Sequence, residues 1–297
     1  MLVEKLKKLK KERNAIVLAH NYQRPEIQDV ADFVGDSLAL AMQAKETDAD
    51  VIVFCGVDFM AESAKIVNPD KIVLHPDINA KCPMAAMVDA DSLISFKKKH
   101  GMDVVSYVNT TAEVKAVSDI CCTSANAVKV VKSMPDGIIF VPDENLGQYI
   151  KRFVKDKEII LWPGFCPTHE GIEKEDILKL KRKHPDAEIL AHPECTPDVI
   201  DIATKVASTE GMVKYAHASS SKKFIVATEK ELCYRMKKEM PDKEFYALEN
   251  AICPTMKKIT MENVVKCLER MEPQVIIDEE ILKKARIPLE RMIEIGR

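Results

Sequence analysis

A cysteine followed by a proline occurs three times, in KCPM at 81–84, FCPT at 165–168 and ICPT at 252–255, at nearly equal intervals of 84 (166 − 82) and 87 (253 − 166) residues. With 15 prolines and nine cysteines in 297 residues, chance supplies roughly half of one such pair. An internal repeat of this period dictates the architecture, because each copy folds into the same unit and the copies bury their faces on one another.

Short apolar runs recur at the same period. AIVLAHNY (15–22), DVVSYVNT (103–110) and EILAHPEC (188–195) form a first set, and VIVFCGVDF (51–59), GIIFVPDEN (137–145) and KFIVATEKE (223–231) a second. A third set, KIVLHP (71–76), EIILWP (158–163) and KEFYALE (243–249), leads each time into a Cys-Pro loop. Between the first and second sets, DFVGDS (32–37), ICCTSAN (120–126) and KVASTEG (205–211) read as short strands opening into helices. Strands alternating with helices make parallel sheets covered on both faces. The expected fold is therefore α/β: three repeated αβα units with parallel sheets around a pseudo-threefold axis, the site at the centre. The units are expected at 1–83, 84–170 and 171–258, with 259–297 a C-terminal helical tail packing back on the body. The pattern ITMENVVKCLERM followed by PQVIID makes that tail look like the start of a fourth unit.

Composition narrows the function. A content of 46% hydrophobic residues supplies a sizeable core. Lys plus Arg (44) nearly balances Asp plus Glu (47), and charge runs such as 7–13 sit on apparent helices, which excludes a nucleic-acid footprint. The opening MLVEKLKKLKKERN reads as a charged amphipathic helix rather than a signal peptide. No apolar run reaches the eighteen or so residues of a membrane span, so a cytoplasmic location is expected. There, an odd number of cysteines speaks for metal binding, catalysis or burial rather than disulfides. Cys55, Cys121, Cys122, Cys233 and Cys267 are expected to be small buried hydrophobes, while Cys195, in HPEC, stands beside the expected site.

In parallel α/β sheets, ligands bind beyond the carboxyl ends of the strands. The first strands end in His20, Asn21 and Tyr22, in Tyr107, Val108 and Asn109, and in His192, Pro193 and Glu194. Ser37, Ser124 and Thr209 open helices after the short strands. They read either as N-caps or, recurring around one cavity, as hydroxyls that bind a carboxylate or phosphate. If equivalent loops meet at one centre, Cys82, Cys166 and Cys253 make one metal site. Two donor sets fit: a 4Fe-4S cluster on three thiolates, with one iron open to substrate, or a Cys3His zinc site that adds His169. Glu194, a carboxylate beside a histidine and a metal, is a natural general base. His75, His100, His184 and His217 have no such company and are expected to be structural or exposed.

LAHNYQ (18–23), DFVGDS (32–37), GVDFMAE (56–62), NPDK (68–71), YVNTTAE (107–113), TSANA (123–127), HPEC (192–195) and ASTEGM (207–212), with the three cysteines, closely resemble the quinolinate synthase family in content and order. The similarity covers nearly the whole chain. It implies an enzyme that condenses iminoaspartate with dihydroxyacetone phosphate to quinolinate, phosphate and water in NAD biosynthesis. It also implies a 4Fe-4S cluster on Cys82, Cys166 and Cys253, whose open iron is a Lewis acid for dehydration. By the same resemblance, His20, Ser37, Tyr107, Asn109, Ser124, His192, Glu194, Ser208 and Thr209 would bind substrate, with His169 a substrate partner rather than a ligand. Tyr22 and Glu194 would transfer protons, with Tyr107 assisting. Transient contact with the enzyme that makes iminoaspartate is a further expectation. One departure is Glu210, where a second glycine or a glutamine is expected. The competing readings are another iron-sulfur hydro-lyase, and a zinc- or cluster-binding sensor without chemistry.

Overall fold

The computed structural model describes residues 1–296. It contains three four-stranded parallel sheets of identical topology. β1 (Ala15–His20), β2 (Phe33–Gly35), β3 (Val51–Cys55) and β4 (Ile72–Leu74) make the first sheet, in the order β2-β1-β3-β4. β5 (Asp103–Tyr107), β6 (Ile120–Cys122), β7 (Gly137–Val141) and β8 (Glu158–Leu161) repeat that order in the second. β9 (Glu188–Ala191), β10 (Lys205–Val206), β11 (Lys223–Ala227) and β12 (Glu244–Ala247) repeat it in the third. The central pairs hold a common register: Ala15 faces Val51, Asp103 faces Ile138 and Glu188 faces Phe224, offsets of 36, 35 and 36 (51 − 15, 138 − 103, 224 − 188).

The central strands lack polar/apolar alternation because both faces are covered by helices. β3 is buried at every position, and β1, β5, β7 and β11 are each buried at their last four. In each sheet the chain runs from the central strand to one edge and then returns to the other side. That reversal opens a crevice at the carboxyl ends of the central pair.

The units are not equivalent in how they share a core. The first two form one continuous apolar cluster, which includes Leu18, Phe54, Val105 and Phe140, together with Ala285, Leu289, Met292 and Ile293 of the helix Glu279–Gly296. The third sheet packs into two clusters of its own, around Ile189 and Ile225 and around Leu190 and Phe224. The tail is not the start of a fourth unit. Its helix Met261–Arg270 lays Val264, Val265 and Leu268 on Leu6 and the first sheet. Its PQVIID segment then runs antiparallel along β4, with Val275 N–H donating to Val73 O at 2.8 Å and His75 N–H to Pro273 O at 3.1 Å. This covers an edge that would otherwise present unpaired backbone groups.

The helix Glu279–Gly296 thus welds two units together. Leu289→Ala, at 0% exposure, is expected to lower stability in urea by about 2–5 kcal/mol. Ile276→Ala, at 88% exposure, is expected to stay within about 0.5 kcal/mol of the parent.

Candidate active site

The carboxyl ends of the three sheets surround one cavity of about 120 Å³, room for a small molecule rather than a polymer segment. Its wall includes all three cysteines of the Cys-Pro loops together with His20, Tyr22, Ser37, Tyr107, Asn109, Ser124, His169, His192, Glu194 and Thr209. Ser208 stands behind this wall. It caps the helix Thr209–Ala218, accepting from Gly211 N–H at 3.2 Å and donating to Asp36 Oδ2 at 3.0 Å.

The hydroxyl residues are not the caps. Asp36 caps the helix Ser37–Glu46 by accepting from Ala39 N–H at 3.0 Å, and Ser208 does the same work for the third unit. Capping falls one residue earlier than the hydroxyls, so Ser37 and Thr209 are first helical residues whose side chains are released to the cavity. Ser124 lies in the turn before the helix Ala127–Ser133, its Oγ 3.2 Å from His192 Nε2. Thr209 Oγ1 accepts from Asn21 Nδ2 at 2.7 Å. Arg235 Nη1 donates to both Asn21 Oδ1 and Glu210 Oε2 at 2.8 Å, which gives the unusual Glu210 a partner.

Glu194 is the hub. Its Oε1 accepts from the Tyr107 hydroxyl at 2.5 Å and faces Asn109 Nδ2 at 3.5 Å, and its Oε2 lies 2.7 Å from His169 Nδ1. Burial alone would raise its pKa, but His169, His192 and the Tyr107 hydroxyl outweigh burial and hold it down at about 2. Across the cavity, Tyr22 Oη lies 2.5 Å from Thr228 Oγ1 and 3.4 Å from His169 Nε2, and Thr228 Oγ1 is 2.8 Å from the same nitrogen. Tyr22, Thr228 and His169 therefore form a hydrogen-bonded chain ending on Glu194. Burial first, then the Glu194 charge, raises both Tyr22 and Tyr107, which stay phenols.

His20 and His192 are neutral. Burial first, then the charge of His192, lowers His20 to about 3; burial also lowers His192 to about 3, with Glu194 opposing. Backbone contacts assign their tautomers. His192 Nδ1 accepts from Glu194 N–H at 3.3 Å, and His20 Nδ1 from Tyr22 N–H at 3.2 Å, so each carries its proton on Nε2.

The sulfur side of the cavity has the donors for a metal cofactor. Burial raises the Cys82 and Cys166 thiols, and neighbouring thiols raise them further, Cys253 acting on Cys82 and both others on Cys166. All three cysteines line this one cavity. Among the described residues no fourth cysteine lines the cavity, and Cys195 instead donates its thiol to Ala227 O at 3.4 Å. Cys166, His169 and Glu194 also bring ligand atoms within 4.8 Å of one another. Both ring nitrogens of His169 are already engaged, by Glu194 and by Thr228. Three thiols, with the imidazole nearest Cys166 already hydrogen-bonded to Glu194 and Thr228, suit a soft metal centre with one coordination position left over.

Thr228 was missed by sequence reasoning. It follows the last residue of β11, and the same attention to strand ends that singled out His20 or Tyr107 points to it once applied to the second set of runs.

A cavity at the ends of parallel strands, with thiols on one side and hydrogen-bonded acid–base groups on the other, defines an enzyme of small-molecule chemistry that carries a metal site. The family model described as quinolinate synthetase A protein matches residues 4–294. The chain is 55% identical over 294 residues to the quinolinate synthase of Thermodesulfovibrio yellowstonii, covering 98% of this chain and 97% of that protein. It is 54% identical over 295 residues to the quinolinate synthase of a Geobacter species, with 98% and 97% covered, and 52% identical over 297 residues to quinolinate synthase 1 of Methanosarcina acetivorans, with 99% and 97% covered. The chain belongs to the quinolinate synthase family.

The neutral His20 carries a consequence for acid stability. Its pKa falls from 6.5 to about 3 on folding, so the unfolded chain binds the extra proton in that window. Stability is therefore full above pH 6.5 and is lost as pH falls toward 3, by about 1.4 kcal/mol per pH unit from this group. Urea denaturation of the metal-free protein across this range is expected to show a shallower decline in His20→Gln.

Proposed function

We propose that the chain is a quinolinate synthase of NAD biosynthesis. It condenses iminoaspartate with dihydroxyacetone phosphate and releases quinolinate, phosphate and two waters, with a 4Fe-4S cluster on Cys82, Cys166 and Cys253. The observation that carries this reading is the meeting of three thiols, one from each equivalent loop, in the cavity that also contains the Glu194 network. We take the chain as three αβα units, 1–83, 84–170 and 171–258, followed by the tail, working in the cytoplasm where thiols stay reduced. Iminoaspartate arrives from the enzyme that produces it, through transient contact.

Each residue has a part in that chemistry. The Nε2–H groups of His20 and His192, the Asn109 amide, and the hydroxyls of Ser37, Ser124 and Thr209 are donors for carboxylate and phosphate oxygens, and helix starts favour those anions. Glu194, ionised, takes protons during enolisation of the triose and closure of the ring. Tyr22 and Tyr107 return protons to departing oxygens, Tyr107 directly across its bond to Glu194 and Tyr22 through Thr228 and His169. His169 keeps its nitrogens for this relay and is not a ligand. Buried walls such as Phe59 and Met60 keep water from the reactive imine. When bound, the cluster supplies, through its one iron without a protein ligand, a Lewis acid for the final dehydration. Atoms balance across the reaction without oxidant or reductant.

Protein purified without oxygen is expected to contain about four iron and four sulfide per chain and to form quinolinate and free phosphate from the two substrates. Cys82→Ser is expected to lose both cluster and turnover. Tyr107→Phe is expected to keep the cluster while kcat falls by about 10²–10⁴. Zinc without sulfide, or an active cluster-free Cys82→Ser, would overturn the reading.

A further inference from the structure

A second repeat lies at the ends of β3, β7 and β11. Asp58, Asp143 and Glu229 stand just beyond these strands, 24, 23 and 24 residues ahead of Cys82, Cys166 and Cys253 (82 − 58, 166 − 143, 253 − 229). In space each faces the loop of its own cysteine. Asp58 Oδ1 accepts from the Cys82 backbone N–H at 3.0 Å, and Glu229 Oε1 accepts from that of Cys253 at 3.4 Å. Asp143 instead meets its loop through the backbone, in a parallel bridge to Gly164. Asp143 Oδ1 accepts from Leu146 N–H at 2.6 Å, and Oδ2 is buried with no partner.

A backbone stitch accompanies each carboxylate. Asp58 N–H donates to Ala80 O at 2.9 Å, Glu144 N–H to Gly164 O at 2.7 Å and Lys230 N–H to Ala251 O at 2.9 Å, in each unit the carbonyl two residues before the cysteine. The residue at that position is small in all three. At Gly164 the reason is direct, because a Cβ there would lie 2.4 Å from Pro142 O. The third loop has an added tie: Lys257 Nζ pairs with Glu229 Oε1 at 2.8 Å and donates to Tyr22 O at 2.6 Å.

The plain alternative is helix capping. Asp143 does cap its helix, Asp58 also accepts from Phe59 N–H, and Glu229 Oε2 accepts from Glu231 N–H. Capping does not require a carboxylate, which is expensive to bury, and both Asp143 and Glu229 are at 0% exposure. Nor does it explain why all three carboxylates keep register with a cysteine.

We propose that Asp58 and Glu229 are positioning residues for the Cys82 and Cys253 thiolates, each restraining the backbone amide of its cysteine, while the backbone at Asp143 and Glu144 holds the Cys166 loop, so that the sulfurs meet before metal arrives. The inference rests on the reading of Cys82, Cys166 and Cys253 as cluster ligands. Loops fixed in advance have already lost the freedom that metal binding would otherwise have to remove.

The test is the rate at which an iron chelator strips the loaded protein under anaerobic conditions, read from the visible absorption, with iron and sulfide content as a second measure. Asp58→Ala and Glu229→Ala are expected to lose the cluster about 10- to 100-fold faster than the parent. Asp58→Asn and Glu229→Gln keep an acceptor for the amide and are expected to stay within about threefold of it. Asp89→Ala is the capping control. Asp89 accepts from Ser92 N–H at 2.8 Å at an exposed helix start and touches no cysteine, so cluster loss should match the parent. Where an alanine variant does not fold, Asp58→Glu and Glu229→Asp displace the acceptor by one methylene and should still speed the loss. Alanine variants as resistant as the parent would overturn the proposal. So would Asn and Gln variants as labile as alanine, which would assign the effect to charge rather than to the restrained amide. A parent that takes up no iron and sulfide would instead sink the cluster reading itself.

Discussion

An ionised carboxylate at 3% exposure governs the rest of this site. Moving an unpaired charge from water into a protein interior is prohibitive, so Glu194 persists as an anion only because its neighbours replace the solvent it has lost. His169 and the Tyr107 hydroxyl do so directly, at 2.7 and 2.5 Å. That requirement then constrains everything nearby. His169 must lie where the short helix Pro167–Glu170 puts it, just after Cys166, so the loop that carries a thiol also carries the partner of the buried carboxylate. A change at Glu194 would therefore reach the sulfur side of the cavity through three residues of chain.

Most of the architecture was legible in the sequence because a repeat converts weak local signals into strong ones. A three-residue strand such as Phe33–Gly35 would not stand out alone, but its counterparts Ile120–Cys122 and Lys205–Val206 occur at the same place in the period. The residues that line the cavity were legible for the related reason that they sit at strand ends, and the ends of parallel strands are where such sheets meet ligands.

What escaped has physical causes. Ser37 and Thr209 resemble caps because a hydroxyl before a helix usually is one, yet Asp36 and Ser208 are the better-placed acceptors and take that role. Glu210 looked out of place until folding brought Arg235 of the helix Leu232–Glu239 against it, a partner 25 residues away. The tail resembled a new unit because it carries an apolar helix followed by an apolar run. Its long final helix instead pairs with a groove formed by two units together, and no local pattern encodes a groove that exists only after both have folded.

The threefold scaffold also has a bearing on what kind of molecule the cavity can hold. At equivalent strand ends the three units present His20, Tyr107 and His192, and two residues later Tyr22, Asn109 and Glu194. A trimer of identical subunits would have to present one residue three times, and its centre would match a ligand with threefold symmetry. Joining the copies in a single chain lets each corner of the cavity diverge, while the shared geometry still delivers one thiol from every copy. A symmetric frame thereby encloses a lopsided interior, with a carboxylate at one corner, a phenol at another and an amide at the third, which suits a lopsided ligand.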